Sequence, residues 1–211
     1  MPPIWRLSDE QWATVEPVLA EHDPPKRGPK RVDQLKEVAP GTTHLAVLWN
    51  AQPAGQSEYQ GMLRAVADGA RAFDLQVSYI DLLGPEPAQF EQAFSLVLPK
   101  RPDALLVVPA PPIAPFVPRI AELTIANRLP SIGDDLFFPR SGLLLSYGAS
   151  WSDLSRRAAT YVDKILKGAN PADLPVEKPT KFDFGINPKT AQALGLTIPQ
   201  GVLVQATEVI Q

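Results

Sequence analysis

From His44 onward, short apolar runs alternate with segments of helical periodicity, and this alternation restricts the fold more than any other feature of the chain. Several runs are apolar at nearly every position, which is typical of strands buried on both faces of a sheet. The runs cover residues 44–50, 77–83, 104–109, 129–133 and 142–148. Helices are predicted over residues 57–73, over residues 87–98, and in a segment ending near Asn127. The pattern predicts parallel βα units and therefore an α/β fold.

A further helix after Ser150 has the clearest local signal. Ser150 can accept a hydrogen bond from the backbone of the first turn, and Asp153 stands at the third helical position, as in a capping box. Gly168 ends the helix. One face carries its apolar residues, which are Leu154, Ala158, Tyr161, Val162 and Ile165. The spacing predicts an amphipathic helix that buries this face.

Composition excludes several classes of function. The chain has a net charge of -3 and no cysteine, so a uniformly basic surface, disulfides and thiolate metal sites are ruled out. The only histidines, His22 and His44, lack partners at metal-binding or catalytic spacing. The turn after the first strand, WNAQPAGQSEYQG, has neither a dinucleotide fingerprint nor a P-loop lysine. We therefore expect no catalytic residue, metal or cofactor, and the enzyme interpretation is not favoured.

The first 34 residues differ from the rest. Ser8 and Gln11 form a capping box that predicts a helix over residues 9–20, and the proline-rich stretch DPPKRGPKR predicts a flexible break after it. That stretch concentrates basic residues, which leaves two readings open, a nucleic-acid contact or a solvated linker. Residues 1–34 hold five Lys/Arg and six Asp/Glu, a net of -1, which weakens the nucleic-acid reading. The sequence has no secretory signal and no apolar stretch long enough to span a bilayer, so membrane insertion is not expected and the chain as written is predicted to be cytoplasmic.

The opening also resembles that of insertion-sequence transposases. Leu7, the DEQW run at residues 9–12 and Arg27-Gly28-Pro29 carry this resemblance. It covers about the first 33 residues and ends before any acidic residue that such enzymes use for strand transfer. It implies a DNA-contacting fragment without catalysis as an alternative function.

Residues 156–199 are similar to the C-terminal signature of the ABC transporter substrate-binding proteins of the tryptophan/tyrosine type. LKEVAPGTTHLAVLWN (35–50), PDALLVVP (102–109) and GLLLSYG (142–148) match the same family in the same order. The resemblance implies a type I periplasmic-binding fold, in which two α/β lobes close on a small ligand. It also implies an exported or periplasmic location for the family and an ABC permease as partner, provided that a first lobe is supplied.

The retained part corresponds to the second lobe of that fold. The division expected is a transposase-like helical appendage and basic linker at 1–34, a single parallel-sheet lobe at 35–174, and a C-terminal segment at 175–211 that would cross back to the first lobe. The chain is thus predicted to be truncated or chimeric, with ligand binding impaired by loss of the first lobe. A strand near residues 181–186 is expected to be left without its usual sheet.

Ligands of open parallel sheets lie outside the carboxyl ends of the strands. That rule selects eight candidate binding residues, which are Trp49, Asn50, Pro109, Ala110, Asp134, Asp135, Tyr147 and Ser150. Their chemistry suits an amino-acid-like ligand, because an aromatic ring can stack, a carboxylate can lie on the amides that open a helix, and an aspartate can pair with an ammonium group. Each also has a structural interpretation, with Trp49 and Tyr147 as core or hinge packing and both aspartates as turn formers.

Overall fold

The computed structural model describes residues 27–51, 56–82, 84 and 86–211. In that part of the chain seven strands form one sheet in the order β2-β1-β3-β4-β5-β6-β7, and all neighbouring pairs except β5 and β6 are parallel. The predicted α/β class is confirmed. The strands are β1 (His44–Asn50), β2 (Gln76–Leu82), β3 (Ala104–Val107), β4 (Ser131–Gly133), β5 (Leu145–Ala149), β6 (Phe182–Ile186) and β7 (Glu208–Val209).

Eight α-helices lie in the described residues. They are α1 (Arg27–Val38), α2 (Gln56–Ala72), α3 (Pro87–Val97), α4 (Val117–Ala126), α5 (Phe137–Arg140), α6 (Trp151–Leu166), α7 (Pro188–Leu194) and α8 (Gln200–Leu203). Short 3-10 turns occupy Leu98–Lys100, Ala114–Phe116 and Pro171–Asp173. The helix predicted over residues 9–20 lies outside the described residues.

The core is centred on β1 and β3. Four consecutive residues of β1, Leu45 to Leu48, are fully buried, as is all of β3. Because successive side chains of a strand point to opposite faces, burial of every position means that both faces of the sheet are covered. β2 is an edge strand with several exposed positions, which explains why its sequence is less uniformly apolar.

The basic stretch before residue 35 is not flexible where the structure describes it. α1 begins at Arg27, and its residues Val32 and Leu35 are fully buried against the body of the lobe. Arg31 is only 2% exposed, and its Nε donates a 2.9 Å hydrogen bond to the carbonyl oxygen of Tyr147. The prediction of a flexible linker is therefore wrong for these residues, because Arg31 forms a hydrogen bond with a strand carbonyl that is distant in sequence and so joins α1 to the sheet. The division of the chain at residues 34 and 174 stays a prediction.

The strand expected to be orphaned is fully paired. β6 runs antiparallel to β5 with five paired residues and parallel to β7 on its other side. Arg140 secures β7 through a hydrogen bond of 2.8 Å from its Nε to Glu208, and this bond holds the pKa of that carboxyl below its usual value. The predictions of an unpaired strand and of a terminal segment that leaves the lobe are wrong, because residues 182–210 complete the edge of the same sheet.

Between β5 and β6 the chain leaves the sheet and returns. We call residues 150–181 the excursion. It contains α6 and an extended return segment, and it is closed at its base by a 3.0 Å hydrogen bond from the backbone N–H of Ser150 to the carbonyl of Lys181. Tyr161 ties the return segment to the helix by donating a 2.6 Å hydrogen bond to the carbonyl of Pro175. The excursion starts and ends at the carboxyl end of β5.

Candidate ligand-binding site

The carboxyl ends of four strands meet at one edge of the sheet. The register places Leu48 beside Val107, Leu106 beside Ile132, and Gly133 beside Ser146. Continuing each strand by a few residues brings Asn50, Pro109, Asp135 and Gly148 to about the same level. Because β2 and β3 lie on opposite sides of β1, the topological switch point falls between β1 and β3, where open α/β sheets bind ligands.

Asn50 and Ala110 lie at this switch point and are both 7% exposed or less. The next residue, Ala51, donates its backbone N–H to Leu82 at 2.8 Å, so the chain stays fixed beyond the end of β1. The carbonyl of Ala110 accepts a 2.9 Å hydrogen bond from Ile113, which forms a tight turn after Pro109. The backbone is thus fixed just beyond both strand ends, and the buried Asn50 stands beside the small residue Ala110 at this edge.

Trp49 does not join this group. Its indole Nε1 donates a 2.6 Å hydrogen bond to Asp81 on β2, and its ring lines a shallow groove of about 430 Å³ with Leu63 and Tyr79. Trp49 and Asn50 are consecutive in a strand, so they point to opposite faces. The packing interpretation accounts for Trp49 without a ligand.

The two aspartates behave differently. Asp135 accepts a 2.7 Å hydrogen bond from the backbone N–H of Phe137, which makes it the turn former that opens α5. Asp134 lies against β5, where a Cβ on Gly148 would come 1.7 Å from the Asp134 carbonyl oxygen. Gly148 was not among the predicted site residues, yet its lack of a side chain allows the loop after β4 to approach β5. A glycine inside an apolar run was the available signal.

Tyr147 faces a second groove of about 660 Å³ between α1 and β6. Its ring stacks on Phe182 with centroids 5.7 Å apart and meets Phe184 edge to face. The ammonium of Lys30 lies 5.7 Å from its centroid. Desolvation raises the pKa of Asp33 in this groove, while Lys30 opposes the shift. Phe182 and Phe184 alternate along FDFGI, which was an available signal for an aromatic face that the sequence-based predictions did not use.

Ser150 is buried but does not cap α6. Its hydroxyl lies 3.1 Å from that of Ser152 and makes no hydrogen bond to the helix backbone. The predicted capping box is therefore wrong. Asp153 instead pairs with Lys181 at 3.1 Å and with Arg157 at 2.9 Å, and the hydrogen bond from Lys181, with the two positive charges, holds its pKa below the usual value. Asp153 stabilises the base of the excursion, because Lys181 at the end of the return segment lies next to its carboxylate.

Other kinds of site find no support in the described residues. No group of histidine, cysteine or carboxylate side chains there could hold a metal ion. No helix of the described part has both the length and the apolarity needed to cross a membrane. Arg31, one of the basic residues of the DPPKRGPKR stretch, is buried and therefore does not present its charge to DNA. The transposase resemblance of residues 1–26 lies outside the described residues, and the cytoplasmic location stays a prediction.

A family model described as ABC transporter substrate binding protein matches residues 26–210. The chain belongs to this family of ABC transporter substrate-binding proteins. The match begins eight residues before residue 34, in agreement with the structured start of α1. The family is one of solute-binding proteins, and the expectation that this chain is not an enzyme stays a prediction. No protein with a curated description matches the chain.

Solved structures similar to this substrate-binding protein share its fold. A conserved domain protein of Vibrio cholerae is 22% identical with a TM-score of 0.77, over 89% of this chain and 60% of its own. An ABC domain of Streptococcus pneumonia in complex with L-Trp is 24% identical with a TM-score of 0.77, over 87% and 60%. An open, ligand-free substrate-binding protein with adhesive properties from Clostridium difficile is 22% identical with a TM-score of 0.66, over 86% and 59%. The chain therefore spans about three fifths of the length of these structures.

Proposed function

We propose that this chain binds a small, amino-acid-like molecule at the carboxyl edge of its sheet. The observation that carries the proposal is the buried amide of Asn50 at the switch point, in a chain of a substrate-binding family. A similar fold was solved with L-Trp, which makes an α-amino acid the first ligand to test. Ligand pockets generally combine an apolar wall with a few fixed polar groups, and Asn50 beside Ala110 has that character.

The roles assigned to the other candidates follow from their places. The ammonium group of the ligand pairs with Asp134. This residue lies in the loop after β4, beside Gly148 of β5. The carboxylate lies on the backbone amides at the start of α6, next to Ser150. Asp135 orders the loop without touching the ligand, because its carboxylate already accepts a backbone hydrogen bond. Trp49 donates a hydrogen bond to Asp81, and Tyr147 stacks on Phe182. We therefore assign both aromatic residues a packing role.

The affinity of the lobe on its own is proposed to be low. The chain spans about 60% of the length of the similar structures, and all strands of the described residues belong to one sheet. A closed pocket normally buries most of a small ligand, whereas a single edge contacts one side of it. We also propose that the chain is truncated or chimeric. An ABC permease would be its partner when a complementary lobe is present.

Calorimetric titration with L-Trp, L-Tyr and branched-chain amino acids tests the proposal. We expect at least one ligand to bind with a dissociation constant of about a millimolar or weaker. Asn50→Ala should weaken it at least about tenfold, the cost of a lost polar contact in a buried site. Asn127→Ala is the matched control, because Asn127 is exposed at the end of α4.

Two results would overturn parts of this account. If Asn50→Ala and the parent chain bind the ligand with equal affinity, and their circular dichroism spectra are the same, the ligand does not bind at the β1–β3 switch point. Binding by the parent much tighter than about a millimolar would refute the impaired affinity of one lobe.

A further inference from the structure

The groove between α1 and β6 combines an aromatic wall with a polar helix face. The wall is formed by Tyr147, Phe182 and Phe184, and the rings of Tyr147 and Phe182 lie parallel to each other within 4°. The helix face carries four polar residues at the spacing of one side of a helix, which are Lys30, Asp33, Gln34 and Glu37. We call this surface the α1–β6 groove. No residue to which we assign contact with the amino-acid-like ligand lines it.

Gln34 supplies a buried acceptor without a donor. It lines the groove, is only 9% exposed, and receives no hydrogen bond at its Oε1 from any described residue. The Nε2 of Gln205 donates a 2.9 Å hydrogen bond to the carbonyl of Gly201, so the Oε1 of Gln205 is left to accept from the Nε2 of Gln34 at 3.4 Å. Reversing the Gln34 amide would bring two oxygens together. A ligand that donates to this buried oxygen therefore stabilises the groove.

Two carboxylates of the same helix face also lack a partner. Asp33 and Glu37 lie one turn apart, and neither carboxylate forms a hydrogen bond or an ion pair with another described residue. Burial raises the pKa of Asp33, because its carboxylate has lost part of its hydration. Lys36 does not neutralise this face, since its ammonium donates to the carbonyls of Pro40 and Thr42 at 3.0 and 2.9 Å. The groove thus presents acceptors and negative charge beside aromatic rings.

Lys30 marks the position at which the groove attracts a cation. Its ammonium lies 5.7 Å from the centroid of the Tyr147 ring, and its charge opposes the effect of burial on the pKa of Asp33. The residue is exposed, and no ion pair with a described residue holds its ammonium there. A planar guanidinium fits the same position better than an ammonium, because it stacks on a ring face and carries five donors in one plane.

We propose that the α1–β6 groove binds a small organic cation whose guanidinium group stacks on Tyr147 and donates hydrogen bonds to Asp33 and Gln34. The ligand displaces the ammonium of Lys30 from the ring. A second positive group on a short aliphatic chain pairs with Glu37, about 6 Å further along the helix. The volume of about 660 Å³ is in the range of small-molecule sites. This site is separate from the one at the sheet edge and does not depend on it.

Calorimetric titration of the full chain with agmatine tests the ligand class. Agmatine has a guanidinium and an ammonium group on a four-carbon chain and no carboxylate. We expect a dissociation constant of about 1 mM or tighter. Putrescine, which has an ammonium in place of the guanidinium, should bind at least about fivefold more weakly because it does not stack. No binding up to about 10 mM agmatine, or equal affinity for the two compounds, overturns the proposal.

Two variants with opposite expected effects test the geometry. Asp33→Asn should weaken agmatine binding at least about tenfold, because it removes the charge that pairs with the guanidinium. Lys30→Met should tighten binding at least about threefold, because it removes the competing ammonium. The matched controls are Asp173→Asn and Lys189→Met, at exposed residues outside the groove, and should leave the affinity unchanged. Weaker binding by Lys30→Met, or an Asp33→Asn variant that binds like its control with an unchanged circular dichroism spectrum, overturns the proposal.

Asn50→Ala separates this site from the one at the sheet edge. It should leave the affinity for agmatine unchanged, and agmatine should shift the amide NMR signals of α1, of β6 and of residues 205–207. Loss of agmatine binding in Asn50→Ala, or shifts confined to residues 50–51 and 109–110, would place the cation at the sheet edge and overturn the proposal. Failure of the amino acids to bind, with agmatine still bound, contradicts only the function proposed for the sheet edge.

Discussion

The sheet body (the described residues of 27–149, together with 182–211) and the excursion use the same kind of sequence pattern in opposite ways. In α2 the apolar stripe includes Val66 and Ala70, both almost completely buried against the body. In α6 an equally regular stripe leaves Val162 and Leu166 more than half exposed. The periodicity fixes that each segment is a helix, but the tertiary neighbour decides whether the apolar face is buried.

The two regions are also held together differently. The body is held by apolar packing on both faces of β1 and β3. The base of the excursion is held by polar contacts, with Asp153 between Lys181 and Arg157, and Arg157 reaching Glu177 at 3.1 Å. A region secured by partly exposed ion pairs depends on salt and pH, whereas packing of the core does not. The comparison predicts a graded series of mutational effects.

The largest effect is expected in the centre of the body. Leu106→Ala removes a fully buried side chain of β3 and should lower the free energy of unfolding by about 2–5 kcal/mol, through lost burial and the cavity left behind. Urea unfolding followed by circular dichroism measures it. A loss below about 1 kcal/mol would mean that β3 is not at the centre of a close-packed core.

A smaller loss is expected where the site edge meets β5. Gly148→Ala places a Cβ on the carbonyl of Asp134, so the β4 loop must move, at a cost of about 1–3 kcal/mol. Gly61→Ala is the control, because Gly61 is helical with open space around it and should be neutral or stabilising. Thermal unfolding compares the two. Equal stability of both variants would show that β4 and β5 do not approach as closely as described.

A pH-dependent effect is expected at Asp103, which ties β3 to the start of β1. Burial raises the pKa of this carboxyl, but hydrogen bonds from the hydroxyl and backbone of Thr43 and from the backbone of His44 outweigh it and leave the pKa lowered. The carboxylate accepts these bonds at 2.6, 2.8 and 2.9 Å. Asp103→Asn should lower the free energy of unfolding at pH 7 by about 1–2 kcal/mol, the scale of hydrogen bonds to a charged group.

The sign of the pH dependence follows from the lowered pKa. The stabilisation is complete above the unfolded-state pKa of about 3.9 and is lost as the pH falls through the folded-state value. The difference between parent and variant should therefore shrink below about pH 4. The control Asp173→Asn, at an exposed aspartate of the excursion, should change little at any pH. A difference that grows on acidification would contradict the assignment.

The smallest effect is expected in the excursion itself. Leu166→Ala should change the free energy of unfolding by less than about 0.5 kcal/mol, because its side chain is 82% exposed. Chemical denaturation followed by circular dichroism measures it. A loss comparable with that of Leu106→Ala would mean that the outer face of α6 is packed within the same chain.

Much of the body could be predicted from the sequence, because a strand buried on both faces has a composition of its own. The β1 run at His44–Asn50 was predicted with its observed bounds, and β2 and β3 within three residues. Long-range polar contacts carry no such local signal. The hydrogen bond from Arg31 to Tyr147 spans 116 residues, so a basic stretch that reads as a linker becomes the start of a packed helix.

The position of the candidate site stays a prediction, but the structure decides which of its proposed members lie together. The rule for parallel sheets selects one edge of the sheet, and alternation along β1 turns Trp49 away from Asn50 there. Ser150 and Asp153 have the residue types of a capping box. In the structure, however, the carboxylate of Asp153 pairs with Lys181, which lies 28 residues further along the chain. The pairing of β6 could not be foreseen either, because a run of five residues does not state which strand it joins.

Hydrogen exchange measured by mass spectrometry tests most directly whether β1 to β7 form one sheet and whether the excursion opens independently of that sheet. The amides of β1 and β6 should share the slowest exchange, while those of α6 exchange at least about a hundredfold faster through local opening. Rapid exchange of β6 together with α6 would contradict the account, since the final strands would then not belong to the sheet.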